Sequence, residues 1–131
     1  MSYRWVEHTA ELELEIEAQR EDAVFVDAVR ALGELLADES RGDRVSREVT
    51  VESPERAVML LRLLDELVYL VETEDLVPED VERIELSDRR LVATVCCYHG
   101  SPRHLVKGTT YHRLVFQRAD HRFRATVVLD V

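Results

Sequence analysis

The residues with the clearest chemical potential are carboxylates near the two ends of the 131-residue chain. Asp130 interrupts the apolar run that extends from Val127 to Val131. A charge inside such a run costs free energy unless it is exposed or paired. Because Ca²⁺ and Mg²⁺ prefer oxygen ligands, Asp130, the terminal carboxylate of Val131 and Glu11 form a candidate site for a hard cation. The alternative is a fraying strand end at which Asp130 contacts only water.

Glu11 begins a segment that alternates acidic and apolar residues without a break to Ala18. This period of two predicts a β-strand with one buried and one acidic face, although glutamate is a poor strand former. The residues expected in the core are Leu12, Leu14, Ile16 and Ala18. On the other face, Glu13, Glu15 and Glu17 are interpreted as solvated surface, and Glu11 alone as a functional candidate.

Other familiar kinds of site are absent from the sequence. It contains no phosphate-binding loop, no dinucleotide glycine fingerprint, no HExxH and no GxSxG. The five histidines lack zinc-site spacing, and Cys96 and Cys97 are adjacent rather than separated as zinc ligands are. The sequence therefore gives no support to a serine-, cysteine- or zinc-based enzyme.

Lysine use is unusual, because 16 of the 17 basic residues are arginine and Lys107 is the single lysine. Arginine and lysine are not interchangeable at chemical sites, so a compact ammonium group is a candidate requirement at this position. Chance is the alternative, since one exposed lysine needs no special reason.

Charge is spread unevenly along the chain. Residues 1–98 hold 25 acidic and 11 basic side chains, a net charge of −14, whereas residues 99–131 hold 2 and 6, a net charge of +4. Such an acidic chain is not expected to bind nucleic acid over a broad surface, because phosphates would be repelled. A cation or a basic protein partner fits it better, and charge that only confers solubility is the alternative.

Hydrophobic periodicity predicts the elements that position these residues. Helices are expected from Arg20 to Ala37 and from an N-cap at Ser53 to about Glu74, with Pro78 in the loop that follows. After the strand at 11–18, the predicted strands are 44–52, 81–86, 91–98, 107–117 and 123–131. The expected fold is a single two-layer α+β domain over residues 1–131, with two helices on one face of a mostly antiparallel sheet.

Localisation is inferred from what the sequence lacks. No apolar run approaches the ~20 residues that cross a bilayer, and the start of the chain has no signal-peptide pattern. The adjacent cysteines provide no disulfide framework and are expected on opposite faces of a strand. A cytoplasmic protein without a membrane partner is therefore predicted.

Three segments together resemble the archease family. They are Glu7-His8-Thr9-Ala10-Glu11, Val106-Lys107-Gly108-Thr109-Thr110-Tyr111-His112 and Val127-Val128-Leu129-Asp130-Val131. In the family the first segment is of the D-H-T-A-D type, the second of the I-K-A-x-T-Y-H type, and the third an apolar strand that contains an aspartate. The resemblance spans essentially the whole chain and its element order.

The resemblance implies a small accessory protein rather than an enzyme. Archeases activate the GTP-dependent RNA ligase of the RtcB type in tRNA splicing and RNA repair, by promoting its guanylylation and repeated turnover. The family also carries a metal site, often occupied by calcium. The implied partners are thus an RtcB-type ligase and calcium or another divalent cation such as magnesium.

The resemblance also implies roles for individual residues. The implied metal ligands are Glu11 and Asp130, with Asp38 and the Val131 carboxylate as further candidates. The implied partner-facing or activating residues are His8, Lys107, Tyr111 and His112. This chain departs from the family where Glu7 and Glu11 replace aspartates, which puts the identity of the cation in question.

Two alternatives remain open at this stage. One is a small metal-dependent hydrolase with Glu11 and Asp130 as ligands, which needs an open metal position and a nearby base. The other is an interaction module that binds no metal. For Tyr111 and His112 the alternative to a partner-facing role is ordinary alternation on opposite faces of a strand, and for His8 it is a polar cap of the strand start.

Overall fold

The computed structural model describes residues 2–131 and contains seven strands and two helices there. In chain order they are β1 (Ser2–His8), β2 (Glu11–Ala18), α1 (Glu21–Leu36), β3 (Arg44–Glu52), α2 (Arg56–Glu74), β4 (Leu76–Leu86), β5 (Arg90–His99), β6 (Gly108–Ala119) and β7 (Arg122–Asp130). Every strand pair is antiparallel. The predicted α+β class is confirmed.

The strands divide between two sheets, a detail that the sequence pattern did not predict. The first sheet has the order β1-β2-β7-β6, and the second has the order β3-β5-β4. Helix α1 contacts β2 of the first sheet and β4 of the second, and α2 contacts β6 as well as β3 and β4. Periodicity identifies strands but not their pairing partners, so the split into two sheets could be seen only in the structure.

The core is one cluster of apolar side chains from both helices and both sheets. Phe25 and Leu32 of α1, Leu60 and Leu64 of α2, and Leu14 of β2 are completely buried. The helical residues recur at the spacing of a single helix face, which is why these segments form helices that dock on sheets. Each such side chain stabilises the fold by roughly 1.5–3 kcal/mol relative to an exposed one.

Strand β1 was not predicted from the sequence. It pairs along its whole length with β2, and the two-residue turn Thr9-Ala10 connects them. Ala10 adopts a left-handed conformation with φ 61°. Tyr3 and Trp5 are only half-buried against the core. The strand therefore lacks the strong alternation of buried apolar and exposed polar residues that makes β2 recognisable.

Two local predictions were wrong. Helix α2 begins at Arg56 rather than after Ser53, and the Ser53 hydroxyl instead accepts a hydrogen bond from the Glu55 amide at 3.1 Å. Pro78 lies inside β4 rather than in a loop, at a shift in the pairing register with β5. Proline lacks an N–H, so a register irregularity is where a strand tolerates it.

The adjacent cysteines behave as expected from strand alternation. Cys97 is buried, Cys96 is half-buried, and both are free thiols. Burial raises the pKa of both thiols, that of Cys97 to about 11, which disfavours the reactive thiolate. Neither α1 nor α2 combines the length and the apolar character that a membrane-crossing helix requires.

Candidate functional site

The ends of β2, β6 and β7 meet at one corner of the first sheet. Glu11 of β2 lies directly opposite Asp130 of β7, and Gly108 of β6 lies opposite Asp130 from the other side. The Lys107 amide donates a hydrogen bond to the Asp130 carbonyl at 2.8 Å. The segments around Lys107 and Asp130 are about a hundred residues from Glu11 in sequence, yet they join it at this corner.

The N-terminal turn closes the same corner. The Val131 amide donates a hydrogen bond to the Ala10 carbonyl at 3.2 Å, and His8 pairs with Glu11 across the hairpin. We call this meeting point of residues 8–11, 107–108 and 130–131 the strand-end junction. The predicted neighbourhood of Glu11 and Asp130 is thus present in the fold.

The Asp130 side of the junction is open. Directly opposed residues of an antiparallel pair point to the same face, so Glu11, Gly108 and Asp130 share the outer face of the sheet. Asp130 is exposed, and a methyl group built at Gly108 would meet no atom within 4 Å. A ligand can therefore approach the Asp130 carboxylate from solvent.

The glutamates of β2 are not a simple solvated surface. Each has an arginine partner from another strand: Arg4 contacts Glu15 at 2.7 Å, Arg122 contacts Glu17 at 2.6 Å, and Arg113 contacts both Glu11 and Glu13. The interpretation of Glu13, Glu15 and Glu17 as solvated was therefore incomplete. Cross-strand arginines, which a local pattern cannot reveal, neutralise this acidic face.

Arg113 makes the most informative of these contacts. Its Nη2 lies 3.0 Å from Glu11 Oε2, and its Nε lies 2.7 Å from Glu13 Oε1. Because β7 lies between β6 and β2, the side chain must cross β7, where Val128 of the same face is completely buried. The hydrogen bond to Glu13 is the main cause of a raised Arg113 pKa, so the guanidinium is a permanent cation beside Glu11.

Sequence reasoning missed Arg113, and no local signal marks it. The strand pairing of β6 with β7 shifts register between Thr110 and Val115, which lets residues 111–114 bulge from the sheet. Arg113 adopts φ 55° there, a conformation that non-glycine residues rarely adopt. The bulge is what aims the arginine across the sheet.

Tyr111 and His112 lie in the same bulge, so the alternative of ordinary strand alternation does not describe them. Both residues are exposed, and 65% of the Tyr111 surface is accessible. The His112 amide donates a hydrogen bond to the Thr110 hydroxyl at 3.2 Å. This pair is therefore presented to solvent next to the strand-end junction in sequence.

His8 and Lys107 are both exposed at the junction. The Nε2 atom of His8 lies 3.4 Å from Glu13 Oε1. Thr109 lies two residues after Lys107, and its amide and hydroxyl both donate to Asp65 of α2, at 3.2 and 2.7 Å. These bonds fix the start of β6, and thereby the backbone that carries Lys107.

Asp38 is engaged in a loop contact. Its Oδ1 accepts a hydrogen bond from the Ser40 amide at 3.1 Å, and its Oδ2 accepts one from the Ser101 amide at 3.0 Å. These amides lower the pKa of the Asp38 carboxyl. The visible role of this carboxylate is to tie the loop after β5 to the end of α1.

The fit of a cation to the junction is partial. Glu11 and Asp130 supply two carboxylates on one face, whereas Ca²⁺ takes about six to eight oxygen ligands. Within residues 2–131, no three His, Cys, Asp or Glu side chains are arranged to hold a metal ion. A cation at Glu11 and Asp130 would therefore lie beside the Arg113 guanidinium, which contacts Glu11 Oε2, and would complete its shell with water or backbone oxygens.

Comparison with known proteins identifies the relatives of this chain. Residues 3–131 match the model of the Archease protein family (MTH1598/TM1083). Protein archease of Archaeoglobus fulgidus is 30% identical over 139 residues, with all of both chains covered. Protein archease of Methanosarcina mazei is 29% identical, over 98% of this chain and 95% of the relative.

Solved structures agree on the fold. The solution structure of Methanobacterium thermoautotrophicum protein 1598 aligns with a TM-score of 0.71 at 24% identity, over 98% of each chain. The crystal structure of an archease and possible chaperone from Thermotoga maritima also gives a TM-score of 0.71, at 21% identity over 96% of this chain and 94% of the other. The match to the family model covers nearly the whole chain, and the chain therefore belongs to the archease protein family.

Proposed function

We propose that this archease is an accessory protein that activates a GTP-dependent RNA ligase of the RtcB type, by promoting its guanylylation and repeated turnover in tRNA splicing or RNA repair. The protein acts through contact with the ligase and performs no chemistry on RNA itself. Its surface of action is the strand-end junction together with the bulge of β6.

The observation that carries the proposal is the meeting of three segments at one corner. The turn that contains His8, the lysine segment before β6 and the end of β7 are far apart in sequence, yet backbone hydrogen bonds join them. His8 and Lys107 are exposed at this corner, and Tyr111 and His112 are exposed in the β6 bulge that follows it in sequence. Function-bearing side chains concentrate where a rigid scaffold presents loops and strand ends, which supports this region as the contact surface.

A divalent cation, calcium or magnesium, is part of the proposal. Glu11 and Asp130 would hold it, with the Val131 carboxylate as a further oxygen donor, and Asp38 would contribute only if its loop rearranged. The bound ion would supply positive charge at an otherwise carboxylate-rich corner. Such an ion would fix the geometry of the corner that meets the ligase.

The metal-dependent hydrolase is the weaker candidate. It needs a base within hydrogen-bond reach of an open metal position. His8 is the nearest histidine by sequence, and its Nε2 faces Glu13 at 3.4 Å. No observation favours the hydrolase over the activator.

The test is a multiple-turnover ligation assay with the RtcB-type ligase of the same organism. Wild-type protein is expected to increase the number of turnovers per ligase molecule. Lys107→Ala is expected to lose most of this stimulation, and Lys107→Arg to retain part of it, because the positive charge remains but the compact ammonium does not.

Glu66→Ala is the matched control, since Glu66 is exposed on α2 and belongs to none of the three motif segments. It should stimulate as well as wild-type protein. Absence of any stimulation by the wild type would refute the proposed function.

A further inference from the structure

We propose that a groove between the start of α2 and the β4–β5 hairpin binds a nucleoside phosphate. The groove has a volume of about 590 Å³, and Arg62, Arg89, Arg90 and Tyr111 are among its lining residues. Glu11, Lys107 and Asp130 are not part of its lining. Tyr111 belongs both to this groove and to the proposed contact surface, whereas the groove arginines belong only to the groove, so nucleotide binding is tested here without the ligase.

The arginines of this groove are unusual in their lack of carboxylate partners. Twelve of the 16 arginines have a carboxylate within 4.0 Å. Among the described side chains, Arg62 and Arg89 are two of the four that do not, and both line this groove. Arg90 has only a long contact of 3.9 Å to Glu52.

This arrangement is unexpected in a chain with a net charge of −10. With 27 acidic residues available, most arginines contact a carboxylate. Arg62 instead donates through Nη1 to the Glu52 main-chain carbonyl at 2.6 Å, which leaves the other donors of its guanidinium for a ligand. The planar guanidinium matches a phosphate group in a bidentate geometry. These side chains are therefore suited to bind an anion that bears several oxygens.

The start of α2 adds to the attraction for anions. Its N-cap, Glu55, makes no side-chain capping hydrogen bond, and the first turn contains no acidic residue. The amides of a helix start and the helix dipole favour negative charge. Glu52 and Glu55 also line the groove and oppose this attraction, so we expect a modest affinity rather than a tight one.

The walls of the groove are held in place before any ligand binds. The Ser53 amide donates to the Arg89 carbonyl at 3.0 Å, which joins the loop before α2 to the hairpin turn. Arg56 donates to the Asp88 carbonyl at 3.1 Å from the adjacent helical turn. A preformed site loses little conformational entropy on binding, which favours a real ligand site.

Tyr111 indicates what the rest of the ligand is. Its ring comes from the β6 bulge, lines the groove and is 65% exposed. An exposed aromatic ring beside phosphate-binding arginines is a platform on which a nucleobase can stack. The phosphate at the arginines and the base at the tyrosine together specify a nucleoside phosphate, either free or at the end of an RNA strand.

The test is an NMR titration of the full-length protein in EDTA, which keeps divalent cations away from the strand-end junction. The probes are inorganic phosphate, ribose 5-phosphate, adenosine and guanosine 5′-monophosphates and a 5′-phosphorylated RNA hexamer. We expect saturable shifts of backbone amides 53–62 and 89–90 with the nucleotides. The hexamer binds more tightly than the mononucleotides if the source is RNA and no more tightly if it is a free nucleotide, and either order is consistent with the site.

Three variants separate this site from general attraction to charge. Arg89→Gln should weaken nucleotide binding about tenfold, because hydrogen bonds to a charged group are lost. Tyr111→Ala should weaken nucleotide binding about fivefold or more but leave ribose 5-phosphate unchanged, because only stacking is lost. Arg118→Gln, which removes another arginine without a carboxylate partner in the described structure, should change neither.

The proposal is overturned if no nucleotide gives a saturable titration. It is equally overturned if Arg89→Gln binds as wild type does, or if Tyr111→Ala lowers ribose 5-phosphate and nucleotide binding alike. Each variant is checked by its own spectrum for an unchanged fold, and Arg89→Lys replaces Arg89→Gln if the glutamine variant does not fold.

Discussion

Arg113 controls how accessible the Glu11 carboxylate is to a cation. Its guanidinium lies within 3.0 Å of both Glu11 and Glu13, and only 37% of its side chain is exposed. An external cation at Glu11 must therefore compete with a cation that the chain itself supplies. We therefore expect two features to set the affinity of the junction for a metal ion. One is this competition, and the other is the presence of glutamate at position 11 where the family has aspartate.

Substitution Arg113→Gln should strengthen binding of Ca²⁺ to the junction. Partly exposed ion pairs of this kind are weak because solvent screens them, so removal of these contacts predicts an affinity only about two- to fivefold higher. Isothermal titration calorimetry with Ca²⁺ measures this directly. Arg122→Gln, which removes the partner of Glu17 on the same sheet face, is the control and should bind Ca²⁺ as wild type does.

Equal Ca²⁺ affinities of Arg113→Gln and wild-type protein would mean that Arg113 does not compete for the site. Absence of Ca²⁺ and Mg²⁺ binding by both proteins would contradict the cation proposal itself and favour an interaction module without a metal.

Asp27 is a second residue whose environment has a measurable consequence. It lies on α1 with 3% of its surface exposed, and its Oδ2 has no hydrogen-bond partner among the described residues. Burial is the main cause of its raised pKa. The folded protein therefore holds this proton more tightly than the unfolded chain does, and stability falls as pH rises from the ordinary aspartate range through the raised pKa.

Substitution Asp27→Asn should raise the free energy of unfolding at pH 7 by about 1 kcal/mol, because the buried charge is removed. The gain should shrink towards pH 4, where Asp27 of the wild type is increasingly protonated in both states. Urea unfolding at both pH values measures the difference, with Asp88→Asn at an exposed hairpin position as the control. A gain that is the same at both pH values, or a loss at pH 7, would contradict this account.

At the scale of elements, the packing of α1 on β4 depends on one glycine. A methyl group built at Gly33 would lie 2.5 Å from the Pro78 carbonyl oxygen and 3.3 Å from its carbon, so it would collide with the backbone of β4. Glycine weakens a helix interior, so its position in α1 is consistent with this close approach. The partner could not be predicted, since Pro78 was expected in a loop.

Substitution Gly33→Ala should therefore destabilise the protein, although alanine favours a helix by about 1 kcal/mol over glycine. Overpacking typically costs about 1–3 kcal/mol, which predicts a net loss of about 1 kcal/mol in urea unfolding. Glu66→Ala on the exposed face of α2 is the control and should change stability by less than about 0.5 kcal/mol. Stabilisation by Gly33→Ala would show that helix and strand separate more easily than this packing indicates.

The elements differ in how well the sequence predicted them. Strand β2 and helix α1 were predicted closely, because their apolar residues follow one period without interruption. Strand β1 was missed because Tyr3 and Trp5 are only half-buried, and the β6 bulge was missed because a bulge breaks the very alternation that identifies a strand.

At the scale of the whole molecule, charge is arranged by the fold rather than by the sequence halves. The acidic residues of β2 are compensated by arginines of β1, β6 and β7, so the excess negative charge of residues 1–98 is not concentrated on that face. The neighbourhood of Glu11 and Asp130 was predictable from the three motif segments together. The arginine that crosses to Glu11 and the groove beneath Tyr111 were not, because they depend on contacts between elements distant in sequence.

In the function that we propose, the strand-end junction is the surface through which this archease activates an RNA ligase. The most direct measurement is the rate of ligase guanylylation by GTP with wild-type protein, Asp130→Ala or Glu66→Ala present. Wild type and Glu66→Ala should accelerate guanylylation equally, and Asp130→Ala should lose most of the acceleration. Full acceleration by a correctly folded Asp130→Ala variant would contradict the claim.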